Sequence, residues 1–310
     1  MRFMKGLELC RAYFNEYGMP MLKREFSHLL DRVAVGLVGH GSECFGFDDE
    51  ISRDHDFEAR FSIWLTDEDA SLFGRDLDLA YQKLPREFRG VRLRAESLAN
   101  GDRRCVSSIS SFYRYYTGCD GVPQSLEAWA KIPSFYLAEA VNGEVFYDGL
   151  GRFSEIRRQL SEDMPTDALK KRLASELFTM AQAGQYNLSR CMAHGEQAAA
   201  ALALFRFAES ALQVIYLLNG RYAPYYKWSF RGLDGLQKLR YEGELLKALV
   251  KKGIDRDTPR TVEAICLGVI RILMQEKYTA YRGDYLEAYA YAIHDTVTAE
   301  SLKTTQREGN

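Results

Sequence analysis

The sequence predicts an α+β protein, a sheet-bearing N-terminal domain followed by an all-helical bundle, and three observations carry that expectation. Short apolar runs rich in β-branched residues, at 33–38, 61–65, 91–95 and 144–147, are confined to the first half of the chain. Past residue 151 the apolar positions recur at helical spacing instead, over 153–160, 166–182, 196–218, 236–251 and 259–281. A length of 310 residues with 46% hydrophobic content suffices for two cores, so the chain is divided into residues 1–150 and 151–310.

In chain order, Leu7, Leu9, Tyr13 and Phe14 give a first helix that Gly18-Met19-Pro20 is expected to stop, and a second helix covers 21–30. Residues 33–38 form a buried strand that ends in Gly39, Gly41 and Ser42, and residues 61–65 form another. Thr66, followed by Asp67, Glu68 and Asp69, reads as a helix start: a capping hydroxyl, with acids where the helix dipole favours them. Val91, Leu93 and Ala95 alternate with Arg92, Arg94 and Glu96, the pattern of a third, half-buried strand. Phe112, Tyr113, Tyr115 and Tyr116 suit either a core or a platform on which a base stacks. Helices over 126–132 and 135–141 lead through Asn142-Gly143 to the strand ending at Asp148. The segment 196–218 is nearly all apolar or alanine and belongs at the centre of the bundle, with Asn219-Gly220 as its C-cap. The last ten residues are expected to fray.

Glycines 39 and 41 allow a sharp turn and a close backbone approach to a ligand, and Ser42 with its neighbouring amides suits phosphate oxygens. Eleven residues separate Ser42 from Asp54-His55-Asp56. Side chains alternate along a strand, so Asp54 and Asp56 share a face, and two convergent carboxylates suit a hard cation such as Mg²⁺. Asp48, Asp49 and Glu50 read as solvated loop acids, and His55 as a structural hydrogen-bonding group. The histidines at 28, 40, 194 and 294 lack metal-ligand spacing. Cys44 follows Ser42 closely, but with no partner histidine evident it reads as a packed small hydrophobe. In the second half, Lys227 is a flexible point charge within Tyr225-Tyr226-Lys227-Trp228, suited to an outer phosphate or to snorkelling over packed rings. Asn187 and Arg190, expected just after or between helices, are further candidates, as is Arg282.

The order strand, Gly-Ser, eleven residues, Asp-x-Asp, strand resembles the signature of the DNA-polymerase-β-like nucleotidyltransferase superfamily. The chain is more closely similar to an uncharacterised bacterial family within it, through GSECFGFDDE followed by SRDHDF, GEVFYD at 143–148, QYNLSR at 185–190 and LLNGRYAPYYKW at 217–228. The resemblance implies that Asp54 and Asp56 hold Mg²⁺ or Mn²⁺ and that Gly41 and Ser42 grip the β,γ-phosphates of an NTP, expected to be ATP. It favours Lys227, Asn187 and Arg190 as nucleotide contacts and places the active site in a cleft between the two domains. It also implies a third carboxylate on a third strand. Glu96 is the acid there, Asp148 is the next candidate, and a site with two carboxylates is the remaining alternative. The implied reaction moves a nucleoside monophosphate to an acceptor hydroxyl of a small molecule or protein and releases pyrophosphate. The contrasting expectation is a catalytically inactive nucleotide-binding sensor or interaction protein.

Composition narrows the partners. A formal net charge of -2 and a pI near 6.3 argue against nucleic acid as the main ligand. Arg2 and Lys5 are not followed by a long apolar core, so no signal peptide is expected. No uninterrupted apolar run reaches about 18 residues, so no membrane span is expected. Six cysteines without Cys-x-x-Cys pairing read as reduced thiols of a cytoplasmic protein.

Overall fold

The computed structural model describes residues 4–51, 57–92 and 105–303. In chain order its elements are α1 (Gly6–Tyr13), α2 (Met19–Glu25), β1 (Ala34–Leu37), β2 (Ser62–Leu65), α3 (Asp67–Gln82), β3 (Glu87–Phe88), β4 (Val91–Arg92), β5 (Val106–Ser108), α4 (Ile109–Thr117), α5 (Leu126–Lys131), α6 (Ser134–Val141), β6 (Glu144–Asp148) and α7 (Arg152–Glu162). There follow α8 (Thr166–Met180), α9 (Ser189–Ala193), α10 (Gln197–Leu218), α11 (Tyr226–Gly232), α12 (Arg240–Lys252), α13 (Thr258–Gln275), α14 (Leu286–His294) and α15 (Glu300–Lys303). The fold is α+β, and at 64% helix the sheet is a minority element that the helices must cover.

Two compact units emerge, Met1–Pro123 with Tyr136–Asp163, and Gln124–Phe135 with Met164–Asn310. In the first unit β1 is a central strand of a mixed sheet ordered β5-β2-β1-β6. It runs antiparallel to β2, with Ala34 facing Trp64 and Gly36 facing Ser62, and antiparallel to β6, with Ala34 facing Asp148 and Leu37 facing Glu144. β5 adds parallel to β2. All four residues of β1 are buried, as a continuous apolar run requires of a strand covered on both faces. Val35, Ile63 and Leu65 pack with Leu9, Tyr13, Phe14 and Leu22 of the N-terminal helices. The neighbouring Trp64 stacks on Phe153 at 4.0 Å between ring centroids, beside Phe112 and Tyr113.

Several local expectations are corrected. Gly18-Met19-Pro20 does not end the first helix, which passes through a π-helical turn (Phe14–Gly18) into α2. Pro20 sits in the first turn of α2, directly after the π-helical turn. Of the strand expected at 91–95, the described residues Val91 and Arg92 form a two-stranded hairpin, Glu87 facing Arg92 and Phe88 facing Val91. Beside β2 stands β5, which leads into α4. Ser108 starts α4 by accepting from the Ser111 amide at 3.1 Å, and Gly118 ends it at φ 75°. The first unit runs on past 149–151 to Asp163, and residues 124–135 group with the second. The reason is that Asp148 holds the start of α7 to the sheet's end, its two oxygens accepting from Gly151 and Ser154 amides at 2.8 Å each.

In the second unit α10 packs against α8 and α12, and α8 against α14. α10 is long and apolar enough to cross a membrane by composition, but 67% of its most apolar window is buried inside the unit, as a core helix of the bundle. Its end matches the cap expected: Gly220 takes φ 64° and Arg221 N donates to Tyr216 O at 3.0 Å. α8 runs on through a π-helical stretch (Ala181–Leu188) into α9, so residues 185–190 lie within a helical run and not after one.

Candidate functional site

The turn leaving β1 is fixed by a set of side chains from other elements. Gly39 (φ 111°) and Gly41 (φ 122°) take left-handed conformations that L side chains rarely adopt. A Cβ on Gly39 would strike the Tyr116 hydroxyl, and one on Gly41 the Glu43 carboxylate. Asn142 brackets Gly39, its Oδ1 accepting from the Gly39 amide and its Nδ2 donating to the Gly39 carbonyl, both at 2.8 Å. Ser42 is half-buried and begins a single 3₁₀ turn (Glu43–Phe45), its carbonyl accepting from Phe45 N at 3.2 Å and Phe47 N at 2.8 Å.

Beneath the turn, Arg60 Nη2 donates to Glu43 Oε1 at 3.1 Å, the side chains being 16% and 10% exposed. Burial weakens the Arg60 guanidinium's hold on its proton, but Glu43 and the nearby Cys44 and Cys10 outweigh it, so the charge is held more firmly than usual. This pair ties the segment that enters β2 to the turn that leaves β1. Cys44 lies in the same cluster, 4% exposed, its thiol pushed well up by burial, which matches a packed hydrophobe and not a nucleophile.

Above the turn, His40 Nδ1 lies 2.7 Å from Glu139 Oε2, a close contact whose angle falls short of a directional hydrogen bond. His40 Nε2 is 3.1 Å from the Tyr115 hydroxyl. Glu139 is buried at 9% side-chain exposure while His40 is 46% exposed, so the ring bridges a buried charge and the surface. Tyr116 is buried, its phenol pushed up by burial and by Glu139, and its hydroxyl lies against Gly39. Sequence reasoning passed over His40 for want of metal spacing. The available signal was Glu139, a lone carboxylate in the otherwise apolar SFYLAEAV helix, whose burial demands a partner.

The other sequence-predicted residues are distributed as follows. Asp54, His55, Asp56 and Glu96 lie outside the described residues. Asp148 faces Ala34, at the opposite end of β1 from Gly41 and Ser42, and its carboxylate is engaged by the start of α7, which removes it as a third acid at the turn. Glu144 is the β6 acid at the turn's end of the sheet, facing Leu37, and it pairs with Arg11. Asp48 is buried and accepts from the Gly6 amide at 2.7 Å, so it anchors the start of α1. Of the aromatic quartet, Tyr113 and Tyr116 are core residues and Tyr115 is exposed. In the second unit Lys227 is exposed in the first turn of α11, its Nζ 5.0 Å over the Trp228 ring. Arg190 lies 5.2 Å over the Tyr186 ring, and Asn187 donates to the Gln182 carbonyl at 2.8 Å. Arg282 donates to the carbonyls of Tyr281 and Thr279, at 2.7 and 3.3 Å.

Among the described residues no group of three His, Cys, Asp or Glu side chains is arranged to hold a metal ion. A cleft lined by Ile215, Leu233, Asp234, Leu236 and Arg240 belongs to the second unit and includes none of the candidates, so its shape carries no functional argument. A family model described as a domain of unknown function (DUF4037) matches residues 129–229. That span holds Glu139, Asn142, Asn187, Arg190 and Lys227 but not the turn at 39–42. No curated protein matches the chain, and no solved structure does.

Proposed function

We propose that the chain is a metal-dependent nucleotidyltransferase of the polymerase-β-like kind, moving a nucleoside monophosphate from an NTP to an acceptor hydroxyl. The observation that carries this reading is the Glu43–Arg60 pair beneath an antiparallel β1–β2 ladder. Because the strands are antiparallel, the turn holding Gly41 and Ser42 and the segment following Asp54-His55-Asp56 meet the sheet at the same end. Gly41 is held against Glu43, and the Ser42 hydroxyl and adjacent amides are suited to the β,γ-phosphates.

Asp54 and Asp56 would hold Mg²⁺ or Mn²⁺, a donor set of hard oxygens that fits those ions and supplies charge neutralisation at the transferring phosphate. Glu96 remains the candidate third acid. ATP is the proposed donor, a small molecule or a protein hydroxyl the acceptor, and the cytoplasm the compartment. Lys227, with Asn187 and Arg190, is proposed for outer-phosphate contacts, since an exposed ammonium on a short helix is a mobile point charge. The loss of Asp148 from the set of third acids favours the second reading, a nucleotide-binding protein without turnover.

Pyrophosphate release from ATP with Mg²⁺ or Mn²⁺ separates the two. Turnover is expected in the wild-type protein, with a loss of at least about 10²-fold in Asp54→Asn and Asp56→Asn, the scale seen when an electrostatic group at the transition state is removed. Their circular dichroism should be unchanged. Full activity in both variants would remove the metal assignment, and nucleotide binding without pyrophosphate release would establish the non-catalytic reading.

A further inference from the structure

We propose that His40, oriented by Glu139 and reached through Tyr115, accepts the proton of the acceptor hydroxyl. The inference rests on the nucleotidyl-transfer reading and supplies it with a general base made of described residues. A general base needs a proton acceptor on the surface, a third group that orients it, and a position beside the phosphate grip. His40 has all three. It stands between Gly39 and Gly41, Glu139 lies 2.7 Å from Nδ1, and the hydroxyl of the half-exposed Tyr115 lies 3.1 Å from Nε2.

With Nδ1 protonated and Glu139 as its near counter-charge, Nε2 carries the lone pair and Tyr115 donates to it. As the acceptor oxygen forms its bond to the α-phosphorus, its proton passes to Tyr115 Oη while Tyr115 passes its own proton to His40 Nε2. The bond from the α-phosphorus to the bridging oxygen breaks, and pyrophosphate leaves with the electron pair. The imidazolium so formed is stabilised by the buried Glu139 carboxylate.

The turn itself is held by both Asn142 bonds, so His40 is not required to fix it. The ionisable groups around the ring are Tyr115 and Tyr116 from α4, Tyr136 and Glu139 from α6, and Glu43 with Arg60 beneath the turn. Tyr116 stays neutral, its phenol pushed up by burial, and Arg60 stays charged, so neither titrates with the imidazole.

The test is pyrophosphate release from ATP and Mg²⁺, with water as acceptor, followed between about pH 5 and 8, where a histidine changes charge. A histidine base predicts a wild-type rate that rises with pH across this range. His40→Gln should lower kcat by about 10² to 10⁴-fold, the range for general-base loss, flatten that acid limb, and change the KM for ATP little. Added imidazole should restore part of the rate to His40→Ala. Glu139→Gln should lower kcat, since the imidazolium loses its counter-charge.

If His40→Gln loses its native circular dichroism, Tyr115→Phe decides the matter, because an exposed hydroxyl can be removed without disturbing the core; a lower kcat supports the relay, and an unchanged one overturns it. Wild-type turnover that survives in a folded His40→Gln with its acid limb intact overturns the relay alone. No turnover in the wild-type protein overturns the transferase reading and the relay with it.

Discussion

The two units differ most in how they treat buried charge. Among the described residues the sheet-bearing unit buries Glu43, Asp48, Glu58, Asp69 and Glu139, whereas the helical unit buries Glu242. Removing a carboxylate from water costs several kcal/mol unless a partner replaces the lost hydration. In the sheet unit Arg60, the Gly6 amide, Arg32 and His40 serve Glu43, Asp48, Asp69 and Glu139, and in the helical unit Arg271 serves Glu242. The helical unit otherwise rests on side chains such as Leu177, Phe207, Ile215 and Val269, each with at most 1% exposure. The lesson is that packing alone suffices where the chain only has to be compact. Two of the buried carboxylates, Glu43 and Glu139, flank a turn held in a conformation that packing would not choose.

That contrast can be broken at its apolar side first. Phe207 is fully buried and its ring lies against Gly184. Phe207→Ala should cost about 3–5 kcal/mol, the transfer and cavity terms for a core phenylalanine, measured by denaturant unfolding. A loss below about 1 kcal/mol would show that α10 can collapse onto the void and that the bundle is less tightly packed than the burial implies.

The charged side comes next. Arg60→Met strands Glu43, and the expected cost is about 3 kcal/mol, the low end for a broken buried pair because both side chains retain some exposure. Arg60→Met combined with Glu43→Gln should recover much of that loss, because no unpaired charge remains. Additive losses in the double variant would mean that the two residues act independently.

The smallest expected effect depends on pH. Burial pushes the Cys10 thiol from its ordinary 9.0 up to about 11, with the Arg60 amide opposing this through a bond to its sulfur. A group whose folded pKa is raised stabilises the native state fully below its unfolded value and loses that contribution as pH rises through the folded one. Stability should therefore fall between pH 9.0 and about 11. The fall should be on the order of 2–3 kcal/mol, the equivalent of a shift of about two units. Cys10→Ala should lose less across the same window in parallel thermal melts, and identical profiles would remove Cys10 as a contributor.

Much of the helical unit was legible in the sequence. The apolar run at 196–218 and its Asn219-Gly220 cap came through, as did the Thr66 cap of α3 in the sheet unit, because they depend on neighbours within a turn or two. Less of the sheet unit was legible. The 91–95 run has the alternation of a strand, but alternation does not say which strand it joins, and its described part pairs locally with 87–88. Gly18-Met19-Pro20 reads as a stop, yet a π-helical turn and packing on Phe61 carry the helix through it. Asp148 looked available as a site acid until the register put it at the wrong end of β1.

Local chemistry alone set the α+β class, the identity of the glycine-serine turn and the set of acids and cations worth testing, because backbone propensity and side-chain type are properties of short stretches. Which of those groups meet was set by folding. Glu43 finds Arg60, and His40 finds Glu139 and Tyr115, across separations that periodicity does not span. The physical reason is that such meetings depend on strand register and helix docking, where the burial of apolar faces decides position and charges must then be satisfied where they land.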